Sequence, residues 1–204
     1  MKFSHSLQFN AVPEWSNKYI NYSQLKKIIY ILQQEVLYPN SSYNEFSQPV
    51  MSNGLETQLE DNILPLIKHT SNDTELDLNR QCIEIFTKYL NKELIKCDDF
   101  FQMQNSYFTE VLENIINDFN NNDRSKELEE RIILCYTQFN ELKSYLELNH
   151  TGFIKICKKF DKIHHTNLKI TYIEGLHMNS VIFNQDSLVH MNEASLRPYS
   201  SMPP

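Results

Sequence analysis

The strongest constraint on this chain is a pair of long apolar stripes at helical spacing. From Thr74 to Phe119 apolar residues recur through Ile83, Phe86, Leu90, Leu94, Cys97, Phe101, Phe108, Leu112 and Ile115, at steps of three, four or seven, and no proline interrupts them. Such spacing keeps one face of a helix oily. At 1.5 Å per residue, that helix or broken helix would run roughly 65 Å. The cluster Asn120-Asn121-Asn122-Asp123 signals a turn, and Ser125 then caps a second run. Its stripe comprises Leu128, Ile132, Tyr136, Phe139, Leu142, Leu146, Phe153, Ile156 and Phe160, with Gly152 as a single defect costing about 1 kcal/mol. Two long helices joined by a short turn lie antiparallel.

Shorter elements flank this pair. Residues 3–9 offer one or two helical turns before Pro13. Asn21 is an N-cap with Gln24 at the third helical position, and Leu25, Ile28, Ile29, Leu32 and Val36 predict a helix of about 17 residues ending before Pro39. Residues 39–73, rich in Ser, Asn and Gln and holding Pro49, Pro65 and Gly54, read as a long flexible loop, with Asn62–Lys68 as a short docked turn. After His165, Leu168–Leu176 and Asp186–Leu196 suggest two short helices. The expectation is one all-α domain over 1–193, with the loop inserted at 39–73 and a disordered tail over 194–204.

Several function classes are disfavoured by composition. The net charge is −7, with 19 Lys+Arg against 26 Asp+Glu, a poor match for nucleic-acid binding. No stretch approaches the roughly 20 apolar residues of a spanning helix, and the first 20 residues lack a signal-peptide core; a soluble, cytosol-facing chain is expected. The four cysteines, at 82, 97, 135 and 157, form no C-x-x-C pair, so reduced thiols are expected and no metal site. No P-loop, G-x-S-x-G or H-E-x-x-H occurs, so no catalytic residues are assigned.

The net charge conceals a partition. Residues 1–30 carry Lys2, Lys18, Lys26 and Lys27 against Glu14, and residues 151–165 carry Lys155, Lys158, Lys159 and Lys162 against Asp161. Each island is +3, leaving −13 for the rest. The second island stands at i, i+3, i+4 and i+7, on one helix face. A solvated surface is the bland reading of such a stripe; a polyanion site is the functional one, with lysines as adaptable point charges. Tyr22 and Lys26, one turn apart near a helix N-terminus, pair a phenol with an ammonium where an anion is already favoured; a rim or core aromatic is the bland reading of Tyr22. Cys157 reads as a packed helix position, Asp161 as a surface partner of Lys158 or Lys162, and His164-His165 as a solvated helix end.

These residues resemble a family. The opening Met1-Lys2-Phe3-Ser4, then Val12-Pro13-Glu14-Trp15, then Tyr19-Ile20-Asn21-Tyr22-Ser23-Gln24-Leu25-Lys26-Lys27 is similar to the start of an SPX domain, the helical module of eukaryotic phosphate-homeostasis proteins. Asn149-His150-Thr151-Gly152-Phe153-Ile154-Lys155-Ile156-Cys157-Lys158-Lys159-Phe160-Asp161-Lys162 resembles that family's second signature. The first 38 residues are most similar in wording to the N-terminal domains of fungal low-affinity phosphate transporters.

The resemblance implies a helical bundle with an N-terminal helical hairpin, two long antiparallel helices and short C-terminal helices. It implies binding of inositol polyphosphates and pyrophosphates, and of inorganic phosphate weakly, without a cofactor. On the family pattern Tyr22, Lys26 and Lys159 form the inner cluster, Lys155, Lys158 and Lys162 the surrounding surface, and Lys2 with the N-terminal amine completes it; Lys27, beside Lys26, is counted with the set. The implied role is a non-catalytic sensor regulating a phosphate transporter's membrane domain or another phosphate-signalling protein, at the cytosolic face of the vacuolar or plasma membrane. A helical protein-interaction module, or the regulatory domain of a polyphosphate polymerase or phosphodiesterase, is the alternative. The family's transporters continue into a membrane region that the 204 residues lack, so an excised domain, a truncated frame and a standalone protein are all compatible with the sequence.

Overall fold

Capping chemistry sets the helix starts. Asn21 Oδ1 accepts the Gln24 N–H at 3.1 Å, while Asn21 Nδ2 donates to Gln24 Oε1 at 3.0 Å, and Ser125 Oγ accepts the Leu128 N–H at 3.2 Å. In the computed structural model, which describes residues 3–37, 59, 62–67, 74–121, 125–176 and 180–184, these caps open two of the five main α-helices. The helices are α1 (Phe3–Asn10), α2 (Tyr22–Leu37), α3 (Glu75–Asn120), α4 (Lys126–His164) and α5 (Leu168–Leu176). Short 3-10 turns occupy Pro13–Trp15 and Leu64–Leu66. No strand occurs among the described residues, so the all-α expectation holds, and α3 and α4 are the long helices anticipated, at 46 and 39 residues. The docked turn expected within the loop is present, with Ile63 and Ile67 buried on either side of Leu64–Leu66. Most of 39–73, the helix expected at Asp186–Leu196, the tail and Lys2 lie outside the described residues.

The chain packs as two units, Met1–Ile20 with Leu94–Phe153 and Tyr172–Pro204, and Asn21–Glu93 with Ile154–Thr171. In the first, α3 and α4 are antiparallel, as the Arg131–Asp118 ion pair at 2.6 Å between the end of one and the start of the other requires. Tyr145 is the hub. Its ring packs with Tyr19, Phe100 and Trp15 at 4.7, 5.1 and 6.1 Å between centroids. Its hydroxyl lies 2.9 Å from the Lys18 carbonyl oxygen and 3.2 Å from that of Cys97. One turn on, fully buried Asn149 accepts the Ile20 N–H at 2.8 Å and donates to the Tyr145 carbonyl at 2.8 Å. Gly152 follows. A Cβ there would stand 2.8 Å from Ile20 Cγ2 and 3.3 Å from the Phe3 ring, so the residue read as a helix defect is what admits the N-terminal segment.

Tyr136, expected on the apolar stripe, is 50% exposed, and between Leu128 and Leu142 no side chain of α4 is fully buried. Steps of four residues overrun the 3.6-residue turn by about 40° each, which carries Tyr136 off the stripe that Leu128 begins.

In the second unit the core joins Leu25, Ile28, Ile29 and Leu32 of α2 to Phe86 and Leu90 of α3 and Ile156, Cys157 and Phe160 of α4, all at 0–1% exposure. Phe86 stacks on Phe160 at 4.5 Å, and Phe160 on His164 at 4.4 Å. His164 is therefore not a solvated helix end. It is 5% exposed, and its Nε2 lies 3.2 Å from the Ile29 carbonyl; since a carbonyl only accepts, Nε2 carries the proton. The helix terminates one residue later, where His165 adopts φ 52°, the left-handed stop common past a helix end.

Candidate functional site

The site is assembled within the second unit by two helix faces. On α2, Tyr22, Lys26 and Tyr30 recur at four-residue intervals and so share one face. On α4, Lys155, Lys158, Lys159 and Lys162 share another, and the buried Ile156, Cys157 and Phe160 on the opposite side hold that face outward. Lys155, Lys158 and Lys162 are exposed, whereas Lys159 is half-buried, and Tyr22 likewise.

Tyr30 is where the faces meet. The Lys159 Nζ lies 4.9 Å from the centre of its ring and the Lys26 Nζ 6.0 Å from it. The Lys159 ammonium beside the Tyr30 hydroxyl draws that phenol below its usual pKa, an effect to which the charge of Lys26 adds. Tyr22 is shifted the other way. Burial raises its pKa, and the nearby charge of Lys159 opposes the rise. Tyr22, Lys26 and Lys159, chosen from sequence, are thus brought into one electrostatic neighbourhood.

Tyr30 was missed by sequence reasoning. Its signal was present: it extends the Tyr22–Lys26 spacing by one more turn. Lys27 is rotated about 100° around α2 from Lys26, is half-buried, and has other interactions.

Asp161, expected to pair with Lys158 or Lys162, instead turns to the start of α5. Its Oδ1 accepts from the Leu168 N–H at 2.6 Å and the Thr166 hydroxyl at 2.7 Å, and its Oδ2 from the Lys169 N–H at 2.9 Å. A surface ion pair is worth at most about 1 kcal/mol, whereas these amides at a helix start have few other acceptors. Among the described residues, no carboxylate pairs with Lys26, Lys158, Lys159 or Lys162.

All four cysteines are free, and burial pushes the thiols of Cys82 and Cys157 up to about 12. No group of three or more His, Cys, Asp or Glu is placed to hold a metal ion among the described residues, and no helix among them is long and apolar enough to cross a membrane.

Comparison with known proteins agrees with the geometry. The profile of the SPX domain matches residues 1–81 and 111–175. The glycerophosphocholine phosphodiesterase GDE1 of Candida albicans is 33% identical over 170 residues, covering 79% of this chain and 12% of that protein. The low-affinity phosphate transporter PHO90 of Saccharomyces cerevisiae is 23% identical over 289 residues, covering 86% of this chain and 33% of the transporter. The chain therefore spans a third or less of these relatives. A solved structure, the SPX domain of Chaetomium thermophilum glycerophosphodiester phosphodiesterase 1 in complex with inositol hexakisphosphate, shares the fold at a TM-score of 0.64 and 20% identity, covering 96% of this chain and 97% of the other. With both signature stretches inside the matched residues and the helical fold in common, the chain belongs to the SPX domain family.

Proposed function

We propose that this chain is a non-catalytic phosphate-homeostasis module that binds inositol polyphosphates and pyrophosphates on the face formed by Tyr22, Lys26, Lys155, Lys158, Lys159 and Lys162, Lys2 and Lys27 being counted with the set on the family's sequence pattern alone. The observation that carries this reading is the convergence of Lys26 and Lys159 on Tyr30, which brings two basic islands of an acidic chain together. Like charges gathered around one ring repel one another. A ligand bearing several phosphates converts that repulsion into attraction, and Asp161 does not compete with it, being held by backbone amides. The inositol hexakisphosphate complex of the similar SPX domain supports the ligand class.

Ligand occupancy would then alter contacts with a covalently attached or separate partner, for which the transporter and the phosphodiesterase among the relatives supply the two precedents. A phosphate transporter at the cytosolic face of a membrane is the partner we favour, because the sequence of the N-terminal helices resembles that class.

The test is isothermal titration calorimetry with inositol hexakisphosphate and with an inositol pyrophosphate, on the wild type, Lys26→Ala and Lys159→Ala. Affinity should fall at least tenfold in each variant and should decline steeply with salt, by analogy with counterion release from nucleic acids. Equal affinities for all three proteins would overturn the site. Absence of binding by the wild type would overturn the function.

A further inference from the structure

We propose that Tyr30 is a positioning residue of the anion site: its ring holds the Lys26 and Lys159 ammonium groups together before any ligand arrives. The inference rests on the binding function proposed above and adds to it a residue outside the two signature stretches. Three observations support it. Tyr30 is 41% exposed, so its ring stands at the surface where a ligand can approach the two lysines. Both lysines approach the same ring, at 4.9 and 6.0 Å, within or at the edge of the range where the negative face of an aromatic ring attracts a cation. The Lys159 ammonium, with the charge of Lys26 added, draws the Tyr30 phenol below its usual pKa, as nearby cations should.

Without such a group, two flexible four-carbon stems bearing the same charge would separate. Each would then have to be reordered when the ligand binds, at a cost in side-chain entropy. The ring removes part of that cost in advance and offsets part of the mutual repulsion.

The experiment compares inositol hexakisphosphate affinity and melting temperature for the wild type, Tyr30→Phe, Tyr30→Leu and Lys159→Ala. Tyr30→Leu, which keeps apolar bulk but loses both the π face and the hydroxyl, should bind about five- to tenfold more weakly at an unchanged melting temperature. Tyr30→Phe, which keeps the face, should recover most of that loss, to within about two- or threefold of wild type. In the Lys159→Ala background the Tyr30→Leu loss should shrink to under twofold, a dependence that a merely structural role would not show.

A Tyr30→Leu variant within twofold of wild type, alongside a Lys159→Ala variant that binds poorly, would overturn the role of Tyr30 and leave the binding function standing. Tighter binding by Tyr30→Phe would also overturn it, since the hydroxyl would then be competing with the ligand for Lys159. If the wild type takes up no ligand, the binding function fails and the role of Tyr30 with it.

Discussion

Around Tyr145 and Asn149 each buried polar side-chain atom has a partner, and among the described residues no buried side-chain nitrogen or oxygen lacks one. Around Tyr30 the arrangement is reversed, with lysines facing each other and the one nearby acid of their helix turned to backbone amides. The first region is complete without anything further. The second gathers like charges that a polyanionic ligand would neutralise. Stability and the proposed function thereby rest on different side chains, both regions drawing on α4, so mutations should separate them.

The largest effect is expected at Asn149. Asn149→Leu leaves the buried Ile20 N–H without an acceptor, and should cost about 3 kcal/mol of unfolding free energy in urea titration. A loss below about 1 kcal/mol would mean that this network does not hold the N-terminal segment. Next comes Gly152→Ala. Helix propensity alone favours alanine by up to about 1 kcal/mol, but the new Cβ meets the rigid, buried Ile20 at 2.8 Å. Overpacking costs about 1–3 kcal/mol, so the variant should be less stable by about 1 kcal/mol; a raised melting temperature would show that Ile20 and Phe3 give way.

A smaller effect should appear with pH in the second unit. Burial lowers the pKa of His164, with its bond to Ile29 opposing and the charge of His165 assisting. The unfolded chain, titrating near 6.5, therefore binds the proton more readily than the folded one, so stability falls as pH drops below about 6.5 and is fully present above it. Thermal melts between pH 7.5 and 5.5 should show this decline, and His164→Gln should flatten it. A wild-type stability constant across that range would refute the neutral, carbonyl-bound form.

The smallest stability effect, under about 0.5 kcal/mol, is expected for Lys155→Gln, Lys158→Gln or Lys162→Gln. Its sign should be neutral or stabilising, since each removes a like charge at helical spacing, while the affinity for inositol hexakisphosphate falls. Destabilisation by any of them beyond 1 kcal/mol would erase the contrast between the two regions.

Much of this was legible because it is local. Helix spacing, the Asn21 and Ser125 caps and the lysine stripe involve residues within about one turn or a few turns of each other, and their geometry follows from 3.6 residues per turn. Gly152, Asp161 and His164 were misread for the complementary reason: each looked like a local feature, a defect, a surface charge and a helix end. Their roles are set by distant or differently oriented partners, namely Phe3 and Ile20, the start of α5, and Ile29 with Phe160.

By itself, the sequence determined the all-α architecture, the two long antiparallel helices and the presence of two basic islands, since amphipathic period and charge order are properties of the chain as written. Only the tertiary structure decided that Tyr30 joins Lys26 to Lys159 and that Asp161 turns away from the lysines. Which side chains of two helices come within 5 or 6 Å depends on how those helices rotate and pack, and that is settled by the burial of Ile29, Phe86, Phe160 and His164.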